Sequence, residues 1–345
     1  MSTQIEKTLG NFRQTASMSA RGHERILGMI QKRGAIAILV LVIIIASFSF
    51  PGFFSVTNLE TIFLQSSFLG LIVVGQTLVI ITGGIDLTVG SLVAFSSVAA
   101  ALLVPVSWSL GIIVPILLGA IIGMINGFLI AKARMAPFIV TLAGLLGVSG
   151  LALALSNQQD ISINSTTFSW IGQGLIGDIG VPVFFMVAAY LIGAVVLNYT
   201  KFGHAIFAIG GNEESARLMG VSVNRVKIIT YTISGALASL AGVLLASELS
   251  AGQPTLGTGW ELNSISAVVV GGTLLTGGSG TISGSFAGVL LLGVLQDIIN
   301  QAGNLGTYAQ QVLSGAFIVA VVLLQAYLTR KRRRKGKLTT SKYNI

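Results

Sequence analysis

Long apolar stretches, separated by short polar segments, run along most of this chain. A helix that crosses a bilayer needs about 20 mostly apolar residues. The pattern predicts ten such spans, at residues 34–50, 62–82, 87–106, 109–131, 136–156, 180–199, 228–247, 263–276, 282–300 and 308–328. Because the segment at 263–276 is short, a broken or re-entrant helix is predicted there. The fold class expected is all-α, a polytopic membrane helix bundle of about ten transmembrane helices.

The basic residues predict how this bundle is oriented. All 20 Lys and Arg residues fall in four clusters, at 7–33, 132–134, 201–227 and 330–342. Lys and Arg are retained in the cytoplasm during insertion. Ten spans that start from a cytoplasmic N-terminus place every cluster inside, so both termini are predicted to be cytoplasmic. The outside loops then contain no Lys or Arg, and Trp108, Trp170 and Trp260 lie in or beside them, as interfacial aromatic residues do.

The same pattern divides the chain into three parts. Residues 1–33 are predicted to form a cytoplasmic N-terminal tail, residues 34–328 the transmembrane domain, and residues 329–345 a basic cytoplasmic C-terminal tail. The net charge of +9 would suggest nucleic acid as a partner. Here, however, the basic residues flank membrane spans, which favours contact with anionic lipid, and no nucleic-acid partner is expected.

The composition excludes several kinds of chemistry. Charged residues make up 9% of the chain, against about 25% in soluble domains. Cysteine is absent, and His23 and His204, the only histidines, are expected in solvated loops. No metal site or other cofactor is therefore predicted. The sequence contains no P-loop, H-E-x-x-H or G-x-S-x-G motif, so no enzymatic activity is predicted either.

Two glycine-rich stretches resemble each other. Val-Gly-Gln-Thr-Leu at 74–78 is followed by Thr-Gly-Gly at 82–84 and Gly-Ser at 90–91. Val-Gly-Gly-Thr-Leu at 270–274 is followed by Thr-Gly-Gly at 276–278 and Gly-Ser at 284–285. Internal repeats with interrupted helices build the central sites of many transporters. The pattern suggests pseudo-symmetry, although chance similarity in a glycine-rich membrane protein also explains it.

Four polar residues are candidates for a substrate pathway: Gln76, Asp86, Gln296 and Asn300. A charged side chain at the bilayer centre costs about 2.5–3.5 kcal/mol, so Asp86 either serves a pathway or caps a helix that starts at Leu87. Capping is the preferred interpretation. Gln76 binds a solute or a neighbouring helix. Gln296 and Asn300, with Asp297, line an outside opening or form an interfacial helix end.

The segment at 200–227 is the longest predicted inside loop. Asn212 suits an N-cap, Glu213 and Glu214 suit a first helical turn, and Gly220 suits the position after a helix end. A short cytoplasmic helix of about two turns is therefore predicted. A docking element for a cytoplasmic partner would explain it, and a solvated connector is the alternative.

Three ordered motifs carry a resemblance to a known family. They are GQTLVI with GIDLTVGS within 75–91, GGN with Ala216 and Gly220-Val221 within 210–221, and AVVVGGT with Gly277-Gly278 within 267–278. The chain resembles the permease subunits of bacterial ATP-binding-cassette (ABC) importers of the ribose type, over about residues 36–328. Gln76 stands where the family usually has Met or a similar residue, and the basic tail at 330–337 is longer than usual.

The resemblance implies a transmembrane permease domain that forms the pathway for a monosaccharide across the bacterial cytoplasmic (inner) membrane. It implies three protein partners: a cytoplasmic ATPase subunit that hydrolyses ATP, an extracytoplasmic sugar-binding protein, and a second permease copy, identical or paralogous. It also implies a coupling loop that docks on the ATPase. The coupling residues it assigns are Asn212, Glu213, Glu214, Ala216, Arg217 and Gly220.

Three other functions remain open at this point. The solute could be a nucleoside or a branched-chain amino acid carried by the same kind of transporter. An ion-coupled secondary transporter could use Asp86 or Asp297, although such proteins usually contain more intramembrane charges than this chain has. A membrane scaffold without transport activity is disfavoured by the interrupted glycine-rich spans.

Overall fold

The computed structural model describes residues 36–301, together with residues 312, 315, 316 and 319. The two predicted tails, at 1–33 and 329–345, and nearly all of the tenth predicted span lie outside the described residues. The described helices are α1 (Ile36–Ser49), α2 (Val56–Ile81), α3 (Thr88–Leu103), α4 (Trp108–Ala131), α5 (Pro137–Ser156), α6 (Thr166–Gln173), α7 (Val181–Tyr199), α8 (Lys201–Gly211), α9 (Glu213–Leu218), α10 (Val223–Leu249), α11 (Trp260–Val270) and α12 (Ile282–Gln301).

The helices follow the predicted hydrophobic segments closely. Each of the first nine predicted spans coincides with one helix. Among the described helices, six are long and apolar enough to cross a membrane, namely α2, α4, α5, α7, α10 and α12, while α1, α3 and α11 are shorter. The described part of the chain is mostly helical, consistent with an all-α membrane bundle. Two helices differ from the prediction by six residues at one end. Helix α2 begins at Val56 rather than 62, and α11 ends at Val270 rather than 276 because Gly271 and Gly272 follow it.

Helices α2 and α10 form the centre of the bundle. Within their most apolar windows, 83% of α2 and 61% of α10 is buried, against 28% of α4 and 22% of α5. Helix α10 packs against α2, α3, α4 and α6. Helices α4 and α5 therefore lie at the periphery, where their apolar outer surfaces suit contact with lipid.

Small residues allow α4 and α10 to approach closely. A Cβ atom at Gly123 would meet the Tyr231 carbonyl oxygen, and one at Gly127 would meet Ile228 Cα at 2.8 Å. At Gly119 a Cβ would collide with Ser239 and the Gly235 carbonyl. Glycines at a spacing of four residues on α4 thus form a close helix–helix contact with α10.

Two short antiparallel ribbons lie at the end of the bundle where α10 ends. The strands are β1 (Ile161–Ser162), β2 (Leu175–Ile176), β3 (Ile179–Gly180) and β4 (Ala251–Gly252). Strand β1 pairs with β4, and β2 pairs with β3. The hydrophobic pattern does not predict strands of two residues. The β1–β4 ribbon and α6, whose Phe168 is fully buried, cover this end of α3 and α10, whereas β3 contacts α2 and α7.

Candidate functional site

The break between α2 and α3 is held by a buried carboxyl group. One oxygen of Asp86, Oδ1, accepts a hydrogen bond from the backbone N–H of Thr88 (3.0 Å). The other, Oδ2, accepts one from the Ser234 hydroxyl (2.8 Å). The expectation that Asp86 binds a free N–H group of α3 is confirmed. The helix begins at Thr88, however, so Leu87 occupies the N-cap position and Asp86 lies one residue before it.

A further set of hydrogen bonds connects this break to three other helices. Tyr231 and Thr141 both donate to the carbonyl oxygen of Ile85, at 3.2 and 3.3 Å. The amide of Asn126 donates to Thr88 Oγ1 at 2.9 Å. Residues of α4, α5 and α10 therefore hold the backbone of the first break in one conformation.

The break between α11 and α12 has the same Thr-Gly-Gly sequence but fewer side-chain contacts. Gly272, Gly277 and Gly278 adopt positive φ angles of 91°, 82° and 74°, which glycine tolerates without strain. Thr281 Oγ1 accepts a hydrogen bond from the Gly284 N–H (3.1 Å) at the start of α12. The buried hydroxyl of Thr273 has no hydrogen-bond partner among the described residues.

The two Thr-Gly-Gly turns touch each other and the end of α8. The N–H of Gly278 donates to the Ile81 carbonyl oxygen, at the end of α2 (2.9 Å). A Cβ atom at Gly277 would meet the Gly83 nitrogen at 2.8 Å, and one at Gly210 would collide with both the Ile81 oxygen and the Gly278 nitrogen. Three backbone segments therefore meet where no side chain fits. We call this contact of Gly210 with the two turns the glycine junction.

Helix α9 follows the glycine junction directly and has well-formed ends. Asn212 Oδ1 accepts a hydrogen bond from the Ser215 N–H (2.8 Å), as predicted for an N-cap. Gly220 adopts φ +85°, and the Val221 N–H binds the Ala216 carbonyl at 3.0 Å, which is the Schellman arrangement at a helix C-terminus. The predicted short helix and its two boundaries are confirmed.

One glutamate ties α9 to α10. Glu213 accepts hydrogen bonds from Arg217 (3.2 Å) and from Lys227 at the start of α10 (2.6 Å). On α9 itself Ala216 is fully buried. Leu218 is 85% exposed, and Met219, which follows the helix, is 71% exposed. The helix thus packs inward through a small residue and presents two large apolar side chains outward.

Helix α8 was not predicted, since residues 200–227 were interpreted as a loop with a single short helix. That interpretation is wrong for Lys201–Gly211. Two signals were present in the sequence: Thr200, whose Oγ1 accepts from the Gly203 N–H (3.1 Å) as an N-cap, and the apolar pair Ile206 and Ile209, which are buried at helical spacing. Adjacent basic residues concealed this short amphipathic pattern.

A cavity of about 690 Å³ lies between α2, α10, α11 and α12, at the opposite end of α10 from α9. Its polar lining consists of Thr61, Gln65, Ser66, Glu248, Asn263 and Gln296. Trp260 and several leucines complete the wall. The wall thus combines aromatic rings, amides and a carboxyl group with apolar side chains. Such a wall suits a small polar ligand that also has apolar faces. Of the lining residues, sequence reasoning proposed only Gln296 for this role.

The four predicted pathway residues do not lie together. Gln296 lines the cavity and donates to Asn300 Oδ1 (3.2 Å). Gln76 and Asp86 are fully buried and are not part of the cavity wall. Neither amide atom of Gln76 has a hydrogen-bond partner among the described residues.

Asp297 binds other parts of the protein. Its Oδ2 accepts hydrogen bonds from Asn58 (3.1 Å) and from Gln301 (2.8 Å), which joins the start of α2 to the end of α12. Of the two interpretations left open for this residue, the contacts favour a helix end.

Comparison with known proteins identifies a family to which the chain is similar. Residues 58–322 match the family model described as branched-chain amino acid transport system / permease component. The chain is 39% identical to the ribose import permease protein RbsC of Escherichia coli K12 over 316 residues, which cover 90% of this chain and 98% of that protein. It is 42% identical to RbsC of Bacillus subtilis over 301 residues, or 86% of this chain and 93% of that protein.

An arabinose relative matches over a similar length. The L-arabinose ABC transporter permease protein AraH of Azospirillum brasilense is 36% identical over 316 residues, or 91% of this chain and 93% of that protein. No solved structure matches the chain significantly. The family match covers most of the chain, and the relatives match over nearly their full length. The chain therefore belongs to the family of transport-system permease components.

Proposed function

We propose that this chain is the permease subunit of an ABC importer that carries a monosaccharide across the bacterial cytoplasmic membrane. The observation that carries the proposal is the near full-length similarity to ribose and arabinose permeases. In this role the chain forms the pathway, and a separate cytoplasmic ATPase subunit hydrolyses ATP. A sugar-binding protein delivers the solute on the outside.

The proposed topology has ten spans, with both termini in the cytoplasm. The distribution of charge along the described helices supports it. Lys132 and Arg134 follow α4, and four further basic residues lie within 201–227, all at the end of the bundle that holds α9. The segments at the other end, 50–55, 104–107, 157–180 and 250–259, contain no Lys or Arg. By the positive-inside rule, α9 faces the cytoplasm and the cavity faces outward.

We propose that α9 docks on the ATPase and that the glycine junction passes its motion to the membrane helices. Asn212, Ala216 and Gly220 shape and seat the helix. Glu213 binds Arg217 within α9 and joins the helix to α10 through Lys227. Glu214 is exposed beside them. Because Gly210 contacts both Thr-Gly-Gly turns through backbone atoms, a displacement of α9 moves these turns without an intervening flexible side chain.

A second permease copy and lipid complete the proposed assembly. Exposed apolar side chains along α4 and α5, such as Ile113, Leu117, Phe138 and Leu146, suit a lipid or helix contact rather than water.

Transport then requires two conformations of the pair, which the ATPase and the binding protein favour differently. We assign Gln296 and Asn300 to the outer pathway and Gln76 to its buried part. Asp86 acts by holding the first break.

A second candidate function is import of a branched-chain amino acid, which the family description names. Free amino acids carry a carboxylate, whose recognition usually uses Arg, Lys or several N–H groups. The described residues that line the cavity include no Lys or Arg, and they include Glu248. This lining favours a neutral solute with many hydroxyl groups.

The test is uptake of radiolabelled pentoses, hexoses and leucine by cells with and without this gene, after depletion of ATP or collapse of the proton gradient. We expect uptake of one neutral sugar to stop when the gene or ATP is removed. It should continue when only the proton gradient is collapsed. Loss with the gradient alone would contradict the ABC mechanism. Uptake of leucine without any sugar would favour the second function.

A further inference from the structure

The structure points to a monosaccharide-binding site within a single copy of this chain, in the cavity between α2, α10, α11 and α12. This inference rests on the proposed function. The site would hold one neutral sugar between the ring of Trp260 and the carboxyl group of Glu248, with Asn263, Gln65 and Gln296 around it. It would receive the sugar on the outer side, before the sugar moves deeper into the pathway.

The cavity is built from one face of each helix. On α2 the lining residues Thr61, Gln65 and Leu69 follow each other at a spacing of four, and on α12 Val289, Leu292 and Gln296 follow at three and four. Such residues share a helical face. On α11 Trp260 and Asn263 form a similar pair in the first turn. The lining is therefore an organised inner surface, and its volume of about 690 Å³ falls within the range of small-molecule pockets.

Glu248 is in a position that folding alone does not favour. It lies in the last turn of α10, where the negative end of the helix dipole opposes a carboxylate. Its Oε2 atom is buried and has no hydrogen-bond partner among the described residues. A residue that breaks a local rule without a structural partner often serves function. A sugar hydroxyl would supply the missing donor.

A second unpaired polar atom lies in the same wall. Ser66 is 3% exposed, and its hydroxyl has no hydrogen-bond partner among the described residues. It reaches the space beside Gly293, where a Cβ atom would collide with its Oγ. Ser66 and Gly293 both belong to the lining of the cavity. Two residues of one cavity wall, Glu248 and Ser66, thus each contain a buried polar atom without a protein partner among the described residues.

The chemistry of the lining suits sugars and excludes their charged derivatives. An indole ring offers a large apolar face to the C–H groups of a pyranose or furanose, while amide and carboxyl oxygens accept its hydroxyl protons. A phosphate or an acidic sugar would bring a second negative charge close to Glu248, with no Lys or Arg among the described lining residues to compensate it. We therefore expect discrimination between D-ribose and ribose 5-phosphate.

The three tryptophans of this chain allow a direct test. The full-length chain with Trp108→Phe and Trp170→Phe keeps Trp260 as its one indole and is placed in lipid nanodiscs. Its fluorescence is titrated with D-ribose, L-arabinose and ribose 5-phosphate. The matched control keeps Trp170, which lies outside the cavity, and carries Trp108→Phe and Trp260→Phe. Glu248→Gln is then added to the chain that keeps Trp260.

We expect a saturable change with at least one neutral sugar when Trp260 is the reporter, and none when Trp170 is. Glu248→Gln should weaken this binding about tenfold, as expected when a hydrogen bond to a charged acceptor becomes one to a neutral amide oxygen. It should also reduce the discrimination against ribose 5-phosphate. No saturable change, an equal change in both reporters, or an unchanged affinity in Glu248→Gln would overturn the site.

Uptake by the complete transporter in cells provides a second measurement that does not depend on fluorescence. Glu248→Gln should raise the KM for sugar uptake, whereas Asp178→Asn, an exposed acidic residue outside the cavity, should leave it unchanged. If the unmodified transporter takes up sugar and Glu248→Gln does not alter its KM, the site is wrong and the proposed function stands. If the unmodified transporter takes up no sugar, the proposed function itself fails.

Discussion

The two glycine-rich breaks share a sequence pattern but differ in how they are held. In the first, Asp86 binds Thr88 and Ser234. Tyr231 and Thr141 bind the adjoining Ile85 carbonyl, and Asn126 binds the Thr88 side chain. In the second, Gly280 occupies the position equivalent to Asp86, and Thr281 supplies a single cap to α12. The first glycine of the repeated motif has a positive φ in both copies, Gly83 and Gly277, whereas the next glycine has one only in the second copy, at Gly278. The first copy alone is locked by several side chains.

The helices that lead into the two breaks also differ in where they end. Helix α2 continues through Gly75 and Gln76 to Ile81, whereas α11 ends at Val270, and Gly271 and Gly272 follow in a turn. Glycine is about 1 kcal/mol less favourable than alanine in a helix, while glutamine is a good helix former. A second glycine in place of Gln76, together with two fewer residues, is enough to end the helix early.

We infer that the first break acts as a fixed point and the second as the part that can change shape. Both turns contact Gly210 at the glycine junction, so movement there would be absorbed mainly by the second break. Three predictions test this difference.

The largest effect is expected from Asp86→Ala. The substitution removes the acceptor for the Thr88 N–H and the Ser234 hydroxyl, and both groups are buried. Leaving buried donors unsatisfied should lower the free energy of unfolding by about 3 kcal/mol. Thermal unfolding of the purified chain in detergent, followed by size-exclusion chromatography, measures the loss.

The second break supplies the comparison for this prediction. Thr281→Ala removes the only side-chain cap seen at the start of α12 in the described structure, and should cost about 1 kcal/mol. Asp86→Asn keeps an oxygen for the Thr88 N–H, so its loss of stability should lie between those of Asp86→Ala and Thr281→Ala. Equal losses for Asp86→Ala and Thr281→Ala would show that the two breaks are held alike.

The next effect is expected from Gly210→Ala. The added Cβ would collide with backbone atoms of both turns, the Ile81 oxygen and the Gly278 nitrogen, which cannot rotate away as a side chain can. Overpacking of this kind costs about 1–3 kcal/mol. We expect sugar uptake to fall strongly while ATP hydrolysis by the assembled transporter continues, because the connection between α9 and the membrane helices is changed.

Gly211→Ala is the matched control for the glycine junction. The two residues are neighbours at the end of α8, but a Cβ atom at Gly211 has nothing within 4 Å. Its uptake should equal that of the unmodified transporter. Similar uptake by Gly210→Ala and Gly211→Ala would remove the glycine junction from the coupling route.

The sequence predicted the helices well because the bilayer imposes a simple rule. Apolar segments of sufficient length must be helical, since every backbone polar group needs a partner. The cap at Asn212 and the end at Gly220 were also predictable, because both depend on nearest neighbours along the chain. The side of the membrane on which each end lies and the tenth span stay predictions.

The site residues were harder to predict because they depend on distant contacts. Ser234, 148 positions from Asp86 in the sequence, gives no signal of its own among the many serines. Trp260 was recognised only as a residue in or beside an outside loop, and the cavity that it shares with Glu248 appears once four helices are packed. The glycine junction is equally hidden, since Gly210 lies in a segment that the sequence pattern indicates only as a loop.

The smallest predicted effect compares one pair of equivalent residues, Thr77 and Thr273. Thr77 Oγ1 donates to the Val73 carbonyl (2.6 Å) and lies 2.8 Å from the Ser285 hydroxyl, whereas Thr273 Oγ1 has no partner among the described residues. Thr77→Val should therefore cost about 1 kcal/mol, and Thr273→Val should be neutral or slightly stabilising.

The measurement for this pair is again thermal unfolding, combined with sugar uptake. Both threonines are buried and both substitutions replace a hydroxyl with a methyl group, so each variant is the control for the other. If Thr273→Val preserves stability but lowers uptake, the hydroxyl of the unmodified Thr273 finds a partner in another conformation of the second break. A break that changes shape requires such a second conformation. If Thr273→Val destabilises the chain as much as Thr77→Val does, the second break is locked in the same way as the first.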